Sequence, residues 1–103
     1  MKTALPVALA IAAFGAHAAS DTRELVRLVR QDCGSCHGMQ LTGGLGTPLT
    51  PQALRDKPVD SLVATVVNGR PGTAMPPWKT IISEQDAEWI VQRLIEGFPE
   101  ETR

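Results

Sequence analysis

Cys33, Cys36 and His37 form the most chemically distinctive stretch of this sequence, Cys-Gly-Ser-Cys-His. Two cysteines three residues apart lie on one side of a helical turn, so their sulfur atoms can reach two groups along one edge of a flat molecule. The imidazole that follows can then bind a metal ion at the centre of that molecule. Haem has this shape, and Cys-x-x-Cys-His is the attachment pattern of haem c. The run therefore predicts thioether bonds from Cys33 and Cys36 and an axial iron ligand from His37.

Two other kinds of site also use a Cys-x-x-Cys pair. A redox disulfide of the thioredoxin type should follow a strand in a βαβ pattern, and no such pattern is present in the sequence. A zinc site needs about four ligands, yet the chain has two cysteines, and His37 is the one histidine outside the predicted leader. Haem attachment fits the residues better than either alternative.

The first 18 residues read as an export signal. Lys2 supplies positive charge, residues 5–14 form a short apolar segment, and small residues allow cleavage after Ala18. The apolar segment is too short to span a bilayer as a helix, although an uncleaved anchor is the alternative. We therefore expect a periplasmic protein with a single domain, residues 19–103, and no stable membrane insertion after cleavage.

The remaining chain is small and nearly neutral. A domain of this length buries a marginal core, and its aromatic residues are only Trp78, Trp89 and Phe98, so an apolar haem would complete that core. Nine Lys and Arg stand against eleven Asp and Glu once Lys2 is removed. This balance indicates neither a nucleic-acid partner nor a polybasic membrane-binding surface.

Hydrophobic periodicity and capping residues predict an all-α fold, with about four helices and long loops wrapped around one haem. Asp21 with Glu24 is typical of a capping box, and Thr50 before Pro51 is typical of a helix start. The predicted helices begin at Asp21, Thr50, Val59 and Ser83, and they end at the haem motif, Leu54, Asn68-Gly69 and Gly97.

Two groups of side chains on these helices have plain structural interpretations. The arginines of the first helix lie mostly opposite its apolar residues and are interpreted as a solvated face, comprising Arg23, Arg27 and Arg30. The third helix carries apolar residues at helical spacing that are interpreted as core, comprising Val59, Leu62, Val63, Val66 and Val67.

Met75 is the predicted second axial ligand. It lies in a loop rich in proline and glycine between two helices, and two prolines after it would stiffen that loop. His and Met together form a ligand pair of electron-transfer cytochromes. The alternatives are that Met75 only fills core space, or that Lys57 or Lys79 binds iron as a neutral amine. Met39 is too near His37 in sequence to reach the opposite side of the haem, so a packing role is predicted for it.

These motifs resemble those of class I c-type cytochromes. Residues 32–51 and 68–78, which contain the haem motif, a glycine loop and Thr-Ala-Met-Pro-Pro-Trp, look most like the small periplasmic cytochrome encoded beside haem-d1-containing nitrite reductase. The resemblance implies an all-α fold, haem c with His and Met ligands, and electron donation to nitrite reductase. It also leaves open a role in maturing haem d1.

One departure from that family concerns the carbonyl group that accepts the N–H of the proximal imidazole. Such cytochromes often have Gly-Pro-x-Leu after the glycine loop, whereas this chain has Gly46-Thr47-Pro48-Leu49. A backbone carbonyl near Thr47 or Pro48 is expected to fix the ring and raise its basicity.

With both axial positions filled, no substrate can reach the iron, so the sequence predicts a one-electron carrier and not an enzyme. We expect a monomer that receives electrons from a quinol-oxidising complex or another cytochrome. The alternatives are a haem enzyme or gas sensor with a displaceable Met75, and an accessory electron-transfer protein in haem d1 assembly. Trp78 is a candidate propionate donor or a packing residue. Candidates for partner steering, propionate contacts or ordinary surface charge are Arg55, Lys57, Arg70 and Lys79.

Overall fold

A computed structural model describes residues 21–101 of the chain. All regular structure in that range is helical: α1 Thr22–Leu28, a π-helical segment Val29–Cys33, α2 Gly34–His37, α3 Pro51–Leu54, α4 Val59–Asn68 and α5 Glu84–Glu96. Because α1, the π segment and α2 are continuous, residues 21–101 contain four helical stretches, which confirms the predicted all-α fold. No helix within these residues combines the length and apolar character needed to cross a bilayer. The predicted leader and its cleavage point lie outside the described residues.

Side-chain caps start α1, α3 and α5 at the predicted residues, whereas α4 begins at Val59 with no side-chain cap, and at α1 only Asp21 of the predicted capping box forms its bond. Asp21 and Thr50 each accept a hydrogen bond from an amide in the first turn, at 2.8 and 3.2 Å. At α5 both halves of a capping box are present, because Ser83 and Asp86 each accept a bond from the other's amide. These bonds pair N–H groups that the first turn of a helix otherwise leaves without a partner.

One apolar cluster joins the helices. Helix α5 packs against both α3 and α4, and its Ala87 and Val91 are almost completely removed from solvent. Val29, in the π segment, is completely buried in the same cluster. The buried members are Leu25, Val29, Leu41, Leu54, Val63, Ile82, Ala87, Ile90, Val91 and Leu94.

Helix α4 presents apolar side chains on two sides. The apolar residues predicted to form one core face are therefore divided between two locations. Val59, Val63 and Val67 line the seam between α4 and α5. Leu62 and Val66 line a separate cavity on the other side of the helix. Helix α4 therefore forms one wall of that cavity while it packs against α5.

Arg30 is buried, and its predicted place on a solvated face was wrong. Its guanidinium donates to the carbonyl oxygen of Phe98 at 2.8 Å and to that of Pro99 at 3.0 and 3.1 Å. It also lies over the Phe98 ring, 5.6 Å from the centroid. The partners come from the far end of the chain, so local periodicity could not reveal them. Arg23 and Arg27 are exposed, as predicted.

Candidate haem-binding site

A mainly apolar cavity of about 420 Å³ lies among α4, α5 and the loops. Cofactor pockets typically measure ~300–1,000 Å³. Three of the four predicted site residues line this cavity: Cys33, His37 and Met75. The fourth, Cys36, is half-buried in α2 and lies outside the cavity lining. The apolar walls include Leu28, Val29, Leu49, Leu54, Leu62, Val66, Ile82, Ile90, Val91 and Leu94.

The imidazole of His37 lies close to the backbone of two consecutive residues, Gly46 and Thr47. Its Nδ1 lies 2.7 Å from the carbonyl oxygen of Thr47, and a carbonyl only accepts, so Nδ1 carries the hydrogen of this bond, which in the neutral imidazole leaves the lone pair on Nε2. A Cβ on Gly46 would lie 2.8 Å from both Nδ1 and Cε1 of the ring, so only glycine allows the backbone this close. Thr47 is thus the acceptor that the sequence left open. Pro48 follows Thr47, and a residue before proline is restricted to extended conformations.

The glycine loop is bonded directly to the haem motif. The amide of Gly43 donates to the carbonyl of His37 at 2.8 Å, and the amide of Gly46 donates to the carbonyl of Cys36 at 2.6 Å. These two bonds hold the loop against the end of α2. Hydrogen bonds to the backbone carbonyls of Cys36 and His37 therefore keep the Thr47 carbonyl beside the imidazole.

Met75 is half-buried in the loop between α4 and α5. Its carbonyl accepts from the amide of Arg70 at 3.1 Å, and its amide donates to the hydroxyl of Thr73 at 3.2 Å, which closes a tight turn. Of the two lysines considered as alternative iron ligands, Lys57 lines the cavity and Lys79 does not. Lys57 is therefore the alternative to Met75 that remains. Met39 is 61% exposed, and its sulfur lies beside Gly34 of α2, so it packs at the surface and not in the core.

The four basic residues considered for partner steering or propionate contacts differ in whether they line the cavity. All four are exposed, but only Lys57 and Arg70 line the cavity, whereas Arg55 and Lys79 do not. Trp78 is half-buried and lines the cavity as well. It is therefore placed for either of its two interpretations, as a donor to a bound group or as a packing residue.

Burial, assisted by the charges of Asp32 and Cys36, raises the pKa of the Cys33 thiol to about 11. Nucleophilic cysteines of redox motifs have the opposite shift, a lowered pKa that favours the thiolate. Within residues 21–101, no group of three or more His, Cys, Asp or Glu is placed to hold a metal ion. The surroundings of Cys33 therefore support neither the redox nor the zinc interpretation.

The raised pKa predicts slow alkylation of Cys33 in the haem-free chain. Because the thiolate is the reactive form, the rate with iodoacetamide in a Cys36→Ser background should still rise with pH towards a midpoint above that of the denatured chain, because burial and the charge of Asp32 raise the pKa of Cys33 without the contribution of Cys36. In denaturant the same thiol should titrate near ~8.5. By linkage, any stability from the neutral thiol is present below that ordinary pKa and is lost as the pH rises through about 11. A native midpoint below the denatured one would support a redox disulfide instead.

Comparison with known proteins shows to which protein family the chain belongs. The family model described as cytochrome C oxidase, cbb3-type, subunit III matches residues 20–92. The chain belongs to this family of c-type cytochromes. Cytochromes of this kind carry a covalently bound haem c, and the Cys-x-x-Cys-His run is present here at residues 33–37.

Three proteins illustrate what this cytochrome is similar to. The structure of the c-type cytochrome NirC is 63% identical with a TM-score of 0.73, and the match covers 74% of this chain and 89% of that one. Cytochrome c55X of Pseudomonas aeruginosa is 66% identical over 74 residues, which are 72% of this chain and 62% of the relative. This chain thus spans slightly less than two thirds of that relative. The structure of dihydro-heme d1 dehydrogenase NirN in complex with DHE is 30% identical with a TM-score of 0.64, covering 75% of this chain and 17% of that one.

These matches confirm two of the predictions made from the sequence. The resemblance to class I c-type cytochromes, and among them to the small cytochrome of the nitrite reductase gene cluster, is confirmed. The all-α fold is confirmed by the likeness to NirC. The match to NirN covers a small part of that longer chain, so it likens this cytochrome to one region of NirN.

Proposed function

We propose that Cys33 and Cys36 hold haem c through thioethers and that His37 and Met75 bind its iron. The observation that carries the proposal is that a single, mainly apolar cavity is lined by Cys33, His37 and Met75. Apolar walls suit a flat macrocycle, and a neutral imidazole nitrogen and a thioether are both ligands of haem iron. When bound, the haem supplies an iron that accepts and returns one electron.

Backbone and side-chain groups of the protein set the reduction potential of the iron. The Thr47 carbonyl orients the His37 ring and increases its basicity through the bond to Nδ1. The soft thioether of Met75 favours the reduced state and raises the reduction potential. The apolar walls exclude water, and two protein ligands leave no coordination position for a substrate. These properties favour an electron carrier over an enzyme.

We propose that this carrier works in the periplasm and donates electrons to haem-d1-containing nitrite reductase. The similarity to NirC and to cytochrome c55X supports the assignment. Lys57 and Arg70 are exposed cations at the cavity, where a positive charge would attract an acidic partner. The donor would be a quinol-oxidising complex or another cytochrome.

Stopped-flow oxidation of the reduced cytochrome by purified nitrite reductase tests this assignment. The second-order rate constant should fall as ionic strength rises, because salt screens attraction between opposite charges. Lys57→Gln should lower the rate at low salt, whereas Arg23→Gln, an exposed cation on α1, should leave it nearly unchanged. Rates independent of salt would remove the steering role, and failure to transfer electrons would remove nitrite reductase as the acceptor.

A second candidate function is electron transfer during haem d1 assembly. It is favoured by the structural likeness to part of dihydro-heme d1 dehydrogenase NirN. Deleting the gene for this cytochrome separates the two functions. Loss of haem d1 while the reductase polypeptide is still made would support assembly, whereas normal haem d1 with slow nitrite reduction would support the donor role.

A further inference from the structure

Gly69, the residue that ends α4, lies directly against the backbone that carries Met75. A Cβ at Gly69 would be 2.7 Å from the carbonyl carbon of Pro76 and from the nitrogen of Pro77, and 2.8 Å from the carbonyl oxygen of Met75. All three are backbone atoms, so a flexible side chain cannot simply move aside. Gly69 is itself buried, and its φ of 70° with ψ of −172° belongs to a region that essentially only glycine occupies.

Hydrogen bonds fix the loop on both sides of this contact. Before Met75, the Thr73 hydroxyl donates to the carbonyl of Arg70 at 2.6 Å and accepts from the Met75 amide at 3.2 Å. After it, the amide of Trp78 donates to the carbonyl of Val66 in α4 at 3.1 Å. The loop is thus closed on itself before Met75 and tied to the last turn of α4 after it. The close contact at Gly69 lies between these two sets of hydrogen bonds. It therefore sets how closely the Met75 backbone approaches α4.

We propose that Gly69 is a positioning residue for Met75, and that its missing side chain lets the loop carry the thioether into the cavity lined by His37. This inference rests on the proposed role of Met75 as an iron ligand. Any side chain at position 69 would push the Met75–Pro77 backbone away from α4, and the sulfur would move with it. The haem motif lies on a different segment, so covalent attachment does not depend on Gly69.

The test replaces Gly69 with Ala in the complete, haem-loaded cytochrome. Gly69→Ala should retain thioether-linked haem in a pyridine haemochrome test, lose the far-red band of iron–thioether bonding when oxidised, and bind carbon monoxide when reduced. Gly97→Ala is the matched control, because Gly97 also ends a helix with a positive φ of 110° but a Cβ there would meet no atom within 4 Å. Gly72→Ala, in the Met75 loop with φ of 82° and equally open space, tests backbone strain alone.

The possible outcomes are distinct. Loss of the band in Gly69→Ala, with the band kept in both control variants, supports the proposal. A wild-type band in Gly69→Ala, or equal loss in Gly97→Ala, overturns it. A wild-type protein without the band would instead overturn Met75 as a ligand, and this inference with it. If Gly69→Ala does not accumulate, Thr73→Val removes the side-chain hydrogen bonds before Met75 and leaves the contact at Gly69 intact. If Gly69 positions Met75, the band should be kept in Thr73→Val, and loss of the band there would assign the positioning to the Thr73 turn and overturn the proposal.

Discussion

Replacing Met75 with Ala should abolish the far-red absorption band of the oxidised protein. The reduction potential should fall by on the order of 100 mV, within the ~0.8 V range over which axial ligands act, because a thioether stabilises reduced iron relative to oxidised iron. The reduced variant should bind carbon monoxide, since one coordination position is no longer filled by the protein. Attachment of the haem should persist because it depends on Cys33 and Cys36. Visible spectra and a redox titration measure these changes.

Met39→Ala is the matched control for that experiment. Met39 is the same residue type, is 61% exposed and does not line the cavity, so its loss should change neither the band nor the potential. A band that survives in Met75→Ala would identify another ligand, and Lys57 would be tested first because it also lines the cavity. Ready binding of carbon monoxide by the reduced wild-type protein would favour a haem enzyme or gas sensor.

Replacing Arg30 with Met should lower the free energy of unfolding by about 2–4 kcal/mol. The side chain of Arg30 is only 10% exposed, and its three hydrogen bonds are the ones to the carbonyl oxygens of Phe98 and Pro99. Methionine fills similar space but donates no hydrogen bond, so both carbonyls would lose their guanidinium partner. The thermal midpoint should fall by about 10–20 °C for a domain of this size, as measured by circular dichroism.

Two further variants separate this contact from a general effect of charge on the first helix. Arg27→Met removes an arginine that is 69% exposed and pairs with Glu101 at 3.7 Å, and it should cost less than about 0.5 kcal/mol. Arg30→Lys should restore only part of the stability, because an ammonium lacks the planar fork of a guanidinium. Equal losses in the Arg27 and Arg30 variants would contradict the role assigned to the buried contact.

Features that depend on neighbouring residues could be read from the sequence. The Cys33–His37 run is specific because its chemistry needs a short fixed spacing, and the caps at Asp21, Thr50 and Ser83 bond within their own first turns. Helix ends at Gly69 and Gly97 follow from backbone angles that glycine adopts most readily. Such interactions span a few residues, so local pattern is sufficient to predict them.

Contacts between distant segments could not be read in this way. Arg30 has the spacing of a surface residue, and only the return of the chain after α5 brings the Phe98 and Pro99 carbonyls to it. The choice of Thr47 as the acceptor for His37 depended on how the glycine loop folds back onto α2.

The amino-acid sequence by itself therefore determined the helices, their ends and the chemistry of the haem motif, because those follow from spacing and backbone preference. Only the tertiary structure decided that Met75 shares a cavity with His37, and that Gly69 touches the backbone beside it. The physical reason is that close approach between segments is set by the packing of the whole chain, which no local pattern encodes.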